Sequence, residues 1–233
     1  MHHQLQKLVN KIRDKTLREK VTDLLENPTI EIEGKTYAGM PLEEAPAGRS
    51  HHHSYPSGLI EHIVSSTNIA LALCDTIKSV YHGKVDRDTV VAGVLLHDIF
   101  KALTYTERED GSYGSTPLAE RLDHLTLGVA ELIRRGFPLH LVHIVDSHMG
   151  WQYGPIGPRT TEALVVHLAD SVDSRLNGEV IRAGQYLIRE AAGFELIRLT
   201  ATEAFEIVNA KTQHGWEAVP RTLEEIRKQR QET

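Results

Sequence analysis

The sequence predicts an all-α protein, a helical bundle preceded by a small extension. From Ser57 onward apolar residues recur at 3.6-residue spacing in one stretch after another. Turn residues such as His82-Gly83 and Gly136-Phe137-Pro138 separate those stretches. Alternation of period two is confined to one short segment near residue 30.

Residues 4 to 25 read as a charged amphipathic helix, with Leu5, Leu8, Val9, Ile12, Leu17, Val21 and Leu24 at helical spacing and Asn27-Pro28 to stop it. The segment TIEIEGKTYAG then alternates apolar and polar residues, which predicts a short strand or hairpin, and Pro41 and Pro46 predict an irregular connection. Helices are expected over residues 58 to 80, 87 to 103, 118 to 135, 138 to 149 and 160 to 176. Pro138 is expected at a first helical position and Gly150 just past an end. The polar run TYTEREDGSYGSTP, residues 104 to 117, reads as a loop, and whether it is a lid or simply solvated stays open. Two more helical stretches follow, at 181 to 192 and 201 to 211, and a charged tail from 221 is expected to fray. The expected organisation is an N-terminal extension over 1 to 50, a chemistry-bearing core over 51 to 180, and packing helices over 181 to 233.

Composition narrows the class. A 233-residue chain with 40% hydrophobic and 25% charged residues, and no run of 18 apolar residues, reads as a soluble protein with no membrane span. The opening Met1-His2-His3-Gln4 lacks a charged and then apolar leader, so a cytoplasmic home is expected. The single Cys74 excludes an internal disulfide and a redox cysteine pair, and its apolar helical setting predicts a buried, inert thiol. A net charge of -6 gives no general attraction to polyanions, so nucleic acid is not the default partner, although a local basic patch is compatible with it. The 14 histidines are in excess of ordinary usage and point toward metal binding or acid/base chemistry.

Several of these histidines sit on faces that should be buried. His62 shares a helical face with Leu59, Ser66, Ile69 and Leu73. His97 and Asp98 end the apolar run AGVLLHDIFKAL. His124 has Gly128 one turn later, which should leave open space beside its ring. His148 lies on the stripe of Leu141, Ile144 and Val145, whereas His140 and His143 fall toward water. Asp170 shares its face with Ala163, Val166, His167 and Asp173. A buried unpaired carboxylate costs several kcal/mol or protonates. At least four inward histidines and two inward aspartates are hard to satisfy by hydrogen bonds alone, so a metal is the better account. Imidazoles with carboxylates and no thiolate suit iron, manganese, cobalt, nickel or zinc in an open geometry. Six ligands exceed the need of one catalytic ion, and two divalent ions sharing Asp98 as a bridge would use them all.

The order of a histidine, an adjacent His-Asp and a later aspartate on successive helices resembles the HD-domain superfamily of metal-dependent phosphohydrolases, over about residues 50 to 180. The resemblance implies an HD-type helical bundle with His62, His97, Asp98 and Asp170 as metal ligands. It further implies that His124 and His148 are the extra histidines of two-metal members. The strings HHHSYPSGLIEH, SHMGWQYG and EALVVHLADSVDSR look like the branch that holds bacterial 3′ to 5′ exoribonucleases and archaeal dihydroneopterin cyclic-phosphate phosphodiesterases. Exoribonucleases of that branch carry an additional N-terminal barrel, and some 50 residues before the histidine cluster are too few for it and a helix. Two positions depart from the pattern. Phe100 stands where relatives often have glycine and is expected to narrow the pocket beside Lys101. Met149 stands where they often have a second histidine.

The implied reaction is hydrolysis of a small phosphate diester, pterin, nucleotide or 2′,3′-cyclic, by a metal-bound hydroxide. Asp98, Lys101 and His53 are the candidate catalytic residues, with Lys101 on a non-bridging phosphate oxygen and a histidine of the 51 to 53 loop protonating the leaving oxygen. Tyr55 and Arg159 join Lys101 and His53 as candidate substrate contacts, Arg175 is a weaker one, and Asp173 would orient a ligand histidine. A small phosphorylated substrate is the expected partner, and self-association into a homo-oligomer stays open. The rival readings are a 5′-nucleotidase or nucleoside triphosphohydrolase, an exoribonuclease, and a nucleotide-binding sensor without activity.

Overall fold

The computed structural model describes residues 1–232. The expected first helix is two, α1 (His3–Val9) and α2 (Lys15–Glu26). The break falls where backbone donors find better acceptors than a helix would offer. Asp14 caps α2 by accepting from the Leu17 N–H, and the N–H groups of Arg13 and Asp14 both donate to Asp88 Oδ2 at 2.8 Å. Strands β1 (Thr29–Ile32) and β2 (Lys35–Ala38) form the expected hairpin, antiparallel from Thr29 opposite Ala38 to Ile32 opposite Lys35. Its two-residue turn, Glu33-Gly34, has positive φ at both positions, as the twist of such hairpins demands.

The bundle begins with α3 (Gly58–Ser79) and α4 (Arg87–Leu96), the latter capped by Asp86. The stretch expected to be helical to 103 stops at Leu96, turns through residues 97 to 100, and resumes as α5 (Lys101–Thr104). On an unbroken helix adjacent side chains diverge by about 100°. The turn lets His97 and Asp98 reach the same space. The polar run expected to be a loop contains a second hairpin, β3 (Tyr105–Glu107) with β4 (Tyr113–Ser115). Helix α6 (His124–Arg134) starts six residues later than expected, at the Asp123 cap that accepts from the Thr126 N–H. Then follow α7 (Leu139–Ser147), with Pro138 at its cap rather than inside it, and the short α8 (Gly150–Tyr153).

The two stretches expected at 160 to 176 and 181 to 192 are one helix, α9 (Thr161–Ala192), which ends at Gly193 in the left-handed conformation. Asn177-Gly178, which looks like a break in the sequence, is a packing notch. A Cβ on Gly178 would lie 3.0 Å from the carbonyl oxygen of His51, so the histidine loop rests directly on α9 there. Helix α10 (Ala201–His214) and α11 (Ala218–Glu232) complete the chain, the latter where fraying was expected.

Two apolar clusters hold these elements. The larger runs from Leu5 of α1 through Ala169 of α9 and includes α2, α3, α4, α6 and α7. The smaller joins Tyr55 to the rear of α9, α10 and α11. The expected limit at residue 180 therefore falls inside α9, which belongs to both. Cys74 is buried, and burial raises its thiol pKa. Among the described residues no helix is long and apolar enough to cross a membrane.

Helices α10 and α11 are tied by Glu203, whose carboxylate accepts from the Thr200 N–H at 2.8 Å in a capping box and from Arg230 through two 2.6 Å bonds. Burial pushes its pKa up, but Arg230 and the Thr200 N–H hold it on balance below the ordinary 4.5. A depressed carboxyl pKa stabilises the fold above the unfolded value, and that stabilisation fades as pH falls through the folded one. In urea denaturation Glu203→Gln is expected to cost about 1–3 kcal/mol at pH 7. The gap to the wild type should close below about pH 4.5. A gap of equal size at pH 7 and pH 3.5 would refute the charged cap.

Candidate metal centre

Five elements deliver one cluster. His62 comes from α3, His97 and Asp98 from the turn after α4, His124 from the first position of α6, His148 from the C-terminal cap of α7, and Asp170 from α9. His62, His97, Asp98 and His148 are no more than 1% exposed, while the side chains of His124 and Asp170 retain 15% and 14%. The cluster is thus reached from the His124 and Asp170 side.

The ring orientations are set from behind. His97 Nδ1 donates to the Val94 carbonyl and His148 Nδ1 to the Val145 carbonyl, both at 2.7 Å, and His62 Nδ1 donates to Asp173 Oδ2 at 2.7 Å. Each ring is left with its Nε2 lone pair pointing into the cluster. His62 Nε2 and His97 Nε2 stand 3.1 Å apart, with Asp98 Oδ2 at 3.3 and 3.5 Å and Asp170 Oδ1 at 3.3 and 3.9 Å. The other oxygen, Asp98 Oδ1, faces His124 Nε2 at 3.3 Å and His148 Nε2 at 3.5 Å.

Two lone pairs at 3.1 Å repel unless a cation lies between them. Asp98 Oδ1, His124 Nε2 and His148 Nε2 are likewise buried without a hydrogen-bond partner among the described residues. These orphaned atoms, all imidazole nitrogens or carboxylate oxygens, fit a divalent transition metal. The four atoms around His62 and the three around Asp98 Oδ1 are each close enough together to bind one ion.

The ionisation states agree with a cation-seeking site. Burial alone would lower the His62 pKa, but the carboxylates of Asp170, Asp173 and Asp98 raise it well above the ordinary value, so the surroundings of this ring favour positive charge. Burial lowers His97 to about 4. Burial would raise Asp98, yet Lys101 and His97 hold it well below the carboxylate range.

The remaining expected residues lie at varied distances from this cluster. Lys101 opens α5, is 7% exposed, and donates from Nζ to Asp98 Oδ2. His53 is 1% exposed and has a φ of +45°, with its N–H on Asn177 Oδ1 at 2.7 Å and its carbonyl accepting from Ala47. Its ring centroid lies 5.2 Å from that of His62. Glycine at 58 permits this approach, because a Cβ there would stand 2.2 Å from the His53 oxygen. Tyr55 is buried in the smaller cluster with its hydroxyl accepting from Asn177 Nδ2 at 2.9 Å, which makes it a support of the histidine loop. Arg159 is apart from the cluster, its N–H on His143 Nε2 and its guanidinium 5.1 Å from the Trp151 ring centre. Arg175 is exposed.

Three expectations are corrected in detail. His143 is half-buried and accepts from Arg159 instead of facing water. The space at Gly128 is not open beside His124, since a Cβ there would lie 3.3 Å from Val145 and 3.5 Å from Phe100. Phe100 is accordingly a core side chain packed toward Gly128. Asn177 was missed as a functional support. Its signal was present, because residues 170, 173 and 177 share one helical face.

Asp173 needs a test of its own. In Asp173→Asn the His62 ring loses its charged orienting partner, and metal affinity is expected to fall about 10- to 100-fold in competition titrations with a chelator. Unchanged affinity would reduce Asp173 to a helix-packing residue.

Comparison with known proteins agrees with this geometry. The HD domain family matches residues 59–175. The chain is 40% identical over 209 residues to the dihydroneopterin 2′,3′-cyclic phosphate phosphodiesterase of Methanocaldococcus jannaschii, covering 90% of this chain and 83% of that protein. It is 33% identical over 159 residues to the 3′-5′ exoribonuclease YhaM of Bacillus subtilis, covering 62% of this chain and 48% of that one. The corresponding enzyme of Oceanobacillus iheyensis is 33% identical over 178 residues, covering 69% and 54%. The chain thus spans about half the length of these exoribonucleases. No solved structure matches it. The family match opens just before His62 and closes just after Asp170, enclosing all six residues of the cluster, and the chain belongs to the HD-domain family of metal-dependent phosphohydrolases.

Proposed function

We propose that this protein is a two-metal phosphodiesterase that opens small cyclic phosphate diesters, with the 2′,3′-cyclic phosphate of a pterin or a nucleoside as the substrate class. The observation that carries the reading is Asp98, whose two oxygens each face two imidazoles, Oδ2 toward His62 and His97 and Oδ1 toward His124 and His148. His62, His97, Asp98 and Asp170 would hold one ion, and Asp98, His124 and His148 the other. Divalent ions such as iron or manganese bound there would supply an activated water and neutralise charge on the phosphate. The 40% identity to a cyclic phosphate phosphodiesterase over 90% of the chain supports the diester over a monoester.

The chain's own groups do the rest. The water oxygen joins phosphorus as one ring P–O bond breaks, and the departing alkoxide takes a proton, so the product is a phosphomonoester. Lys101, kept charged by Asp98 despite its burial, binds a non-bridging oxygen. His53 lies beside His62 and gives the proton to the leaving oxygen. Burial, and next the nearby His62, hold its pKa far below the ordinary value. An anionic phosphate beside the ring raises an imidazole pKa and so opposes that depression, a rise the proton transfer requires.

Metal-free protein reconstituted anaerobically with Fe(II) or with Mn(II) should cleave 2′,3′-cyclic phosphates and bis(p-nitrophenyl) phosphate and lose that activity on chelation. Cleavage of p-nitrophenyl phosphate alone would replace this reading with a nucleotidase. Stepwise shortening of single-stranded RNA, with cyclic phosphates untouched, would replace it with an exoribonuclease.

A further inference from the structure

A cavity of about 300 Å³ lies against the histidine loop, and three distant stretches of the chain converge on it. These are residues 49 to 54, the tip of the β3–β4 hairpin at Ser112 and Tyr113, and residues 181 to 199 with Ile181, Gln185 and Leu196. His52 and His53 line the cavity and also stand against the metal cluster, their ring centroids 5.6 and 5.2 Å from that of His62. Only these two rings separate an occupant of the cavity from His62.

Its chemistry selects a kind of occupant. The volume is at the small end of ligand sites and admits one planar ring system. Ile181, Leu196, Ile197 and Leu199 give it an apolar wall. Tyr113 is 5% exposed, yet its hydroxyl has no hydrogen-bond partner among the described residues. Tyr113 lines the cavity, and a buried hydroxyl without a partner is a donor and acceptor that a small side-chain shift could turn to a ligand edge.

The walls are held in advance of any ligand. The Gln185 side chain donates to the Leu196 carbonyl at 2.6 Å and accepts from its N–H at 2.9 Å. Arg198 Nε donates to the Gly111 carbonyl at 2.6 Å, and its guanidinium lies 4.9 Å from the centre of the Tyr113 ring. Arg198 itself has a φ of +55°, a conformation kept by those bonds. The hairpin tip is pinned to the segment after α9, so it forms a fixed wall of the cavity.

We propose that this cavity receives the planar heterocyclic end of the diester, with the apolar wall against the ring and the Tyr113 hydroxyl on its polar edge, so that Tyr113 and Ile181 determine specificity. The inference rests on the phosphodiesterase reading for the phosphate and on the cavity for the ring.

Guanosine, which has no phosphate to cleave, would be titrated into the metal-loaded protein. The kcat/KM values for guanosine 2′,3′-cyclic phosphate and for ring-less glycerol 1,2-cyclic phosphate would be compared in the wild type, Tyr113→Phe and Ile181→Trp. The expected result is guanosine binding that weakens at least fivefold in Tyr113→Phe and is lost in Ile181→Trp. The ratio of the two kcat/KM values should drop at least tenfold in one or both variants. An unchanged ratio in both, or equal losses on the two substrates, would overturn the proposal while leaving the phosphodiesterase standing. Guanosine binding that Ile181→Trp abolishes, in a wild type that cleaves neither diester, would uphold the cavity and overturn the phosphodiesterase.

Discussion

Asp98→Asn is expected to empty both halves of the metal centre at once. An asparagine keeps the volume and one oxygen, but it removes the carboxylate shared by the His62–His97 pair and the His124–His148 pair. Metal content measured by elemental analysis should fall toward background, and kcat/KM on a cyclic diester should fall about 10⁴-fold or more. Loss of one orienting contact behind a ligand costs only about 10- to 100-fold in affinity. The difference between Asp98→Asn and Asp173→Asn therefore separates a bridging ligand from the residue behind a ligand. The substitution also leaves the Lys101 ammonium, 7% exposed, without its counter-ion, and an orphaned buried charge costs about 3–5 kcal/mol. Circular dichroism at the assay temperature checks that the variant is folded. Full retention of metal would remove Asp98 from the bridging position.

Lys101→Met is expected to behave in the opposite way, keeping metal and losing rate. The thioether fills the path of the lysine stem, and all six ligand side chains remain. With its charge gone from beside the phosphate, kcat/KM should fall about 10²- to 10³-fold. Metal content should stay at the wild-type level. Burial alone would lower the Lys101 pKa, but Asp98 and then Tyr105 and Asp170 hold it above the ordinary value, so the wild-type group is an ammonium across the assay range. Undiminished activity in Lys101→Met would make this lysine a counter-ion to Asp98 and nothing more.

The cluster of buried imidazoles and carboxylates was legible in the sequence because polar side chains on apolar helical faces carry a cost that only a partner removes. His62, His97, Asp98, His148 and Asp170 all announced themselves in that way, and the structure brings them together with His124. The Glu33-Gly34 hairpin was legible for a similar reason, since alternation and a turn signal coincide there. Long-range hydrogen bonding was not. The split between α1 and α2 depends on Asp88, 74 and 75 residues away, which captures two N–H groups. The continuity of α9 across Asn177-Gly178 depends on the histidine loop, which needs a side-chain acceptor and a missing Cβ at those two positions. A residue pair that breaks an isolated helix is here the pair that lets another segment dock. The β3–β4 hairpin was hidden because its Gly- and Ser-rich sequence lacks the apolar alternation of a half-buried strand, and its tip is secured by Arg198 from 87 residues away.

Helix α9 runs from the metal cluster to the cavity as one continuous element. Asp170 at the metals and Ile181 at the cavity are eleven residues apart, which is three turns, so they lie on one face about 16 Å apart along the axis. Asp173 and Asn177 occupy the same face between them. If the cavity takes the substrate's ring as proposed, the helix is the ruler that sets where the ring stands relative to the phosphorus. A single residue inserted between 170 and 181 would lengthen that ruler by only about 1.5 Å but rotate one end by about 100° relative to the other. Substitutions at the far end of this helix would thus reshape the cavity and leave the metal-facing residues in place, whereas a change of register would disturb both.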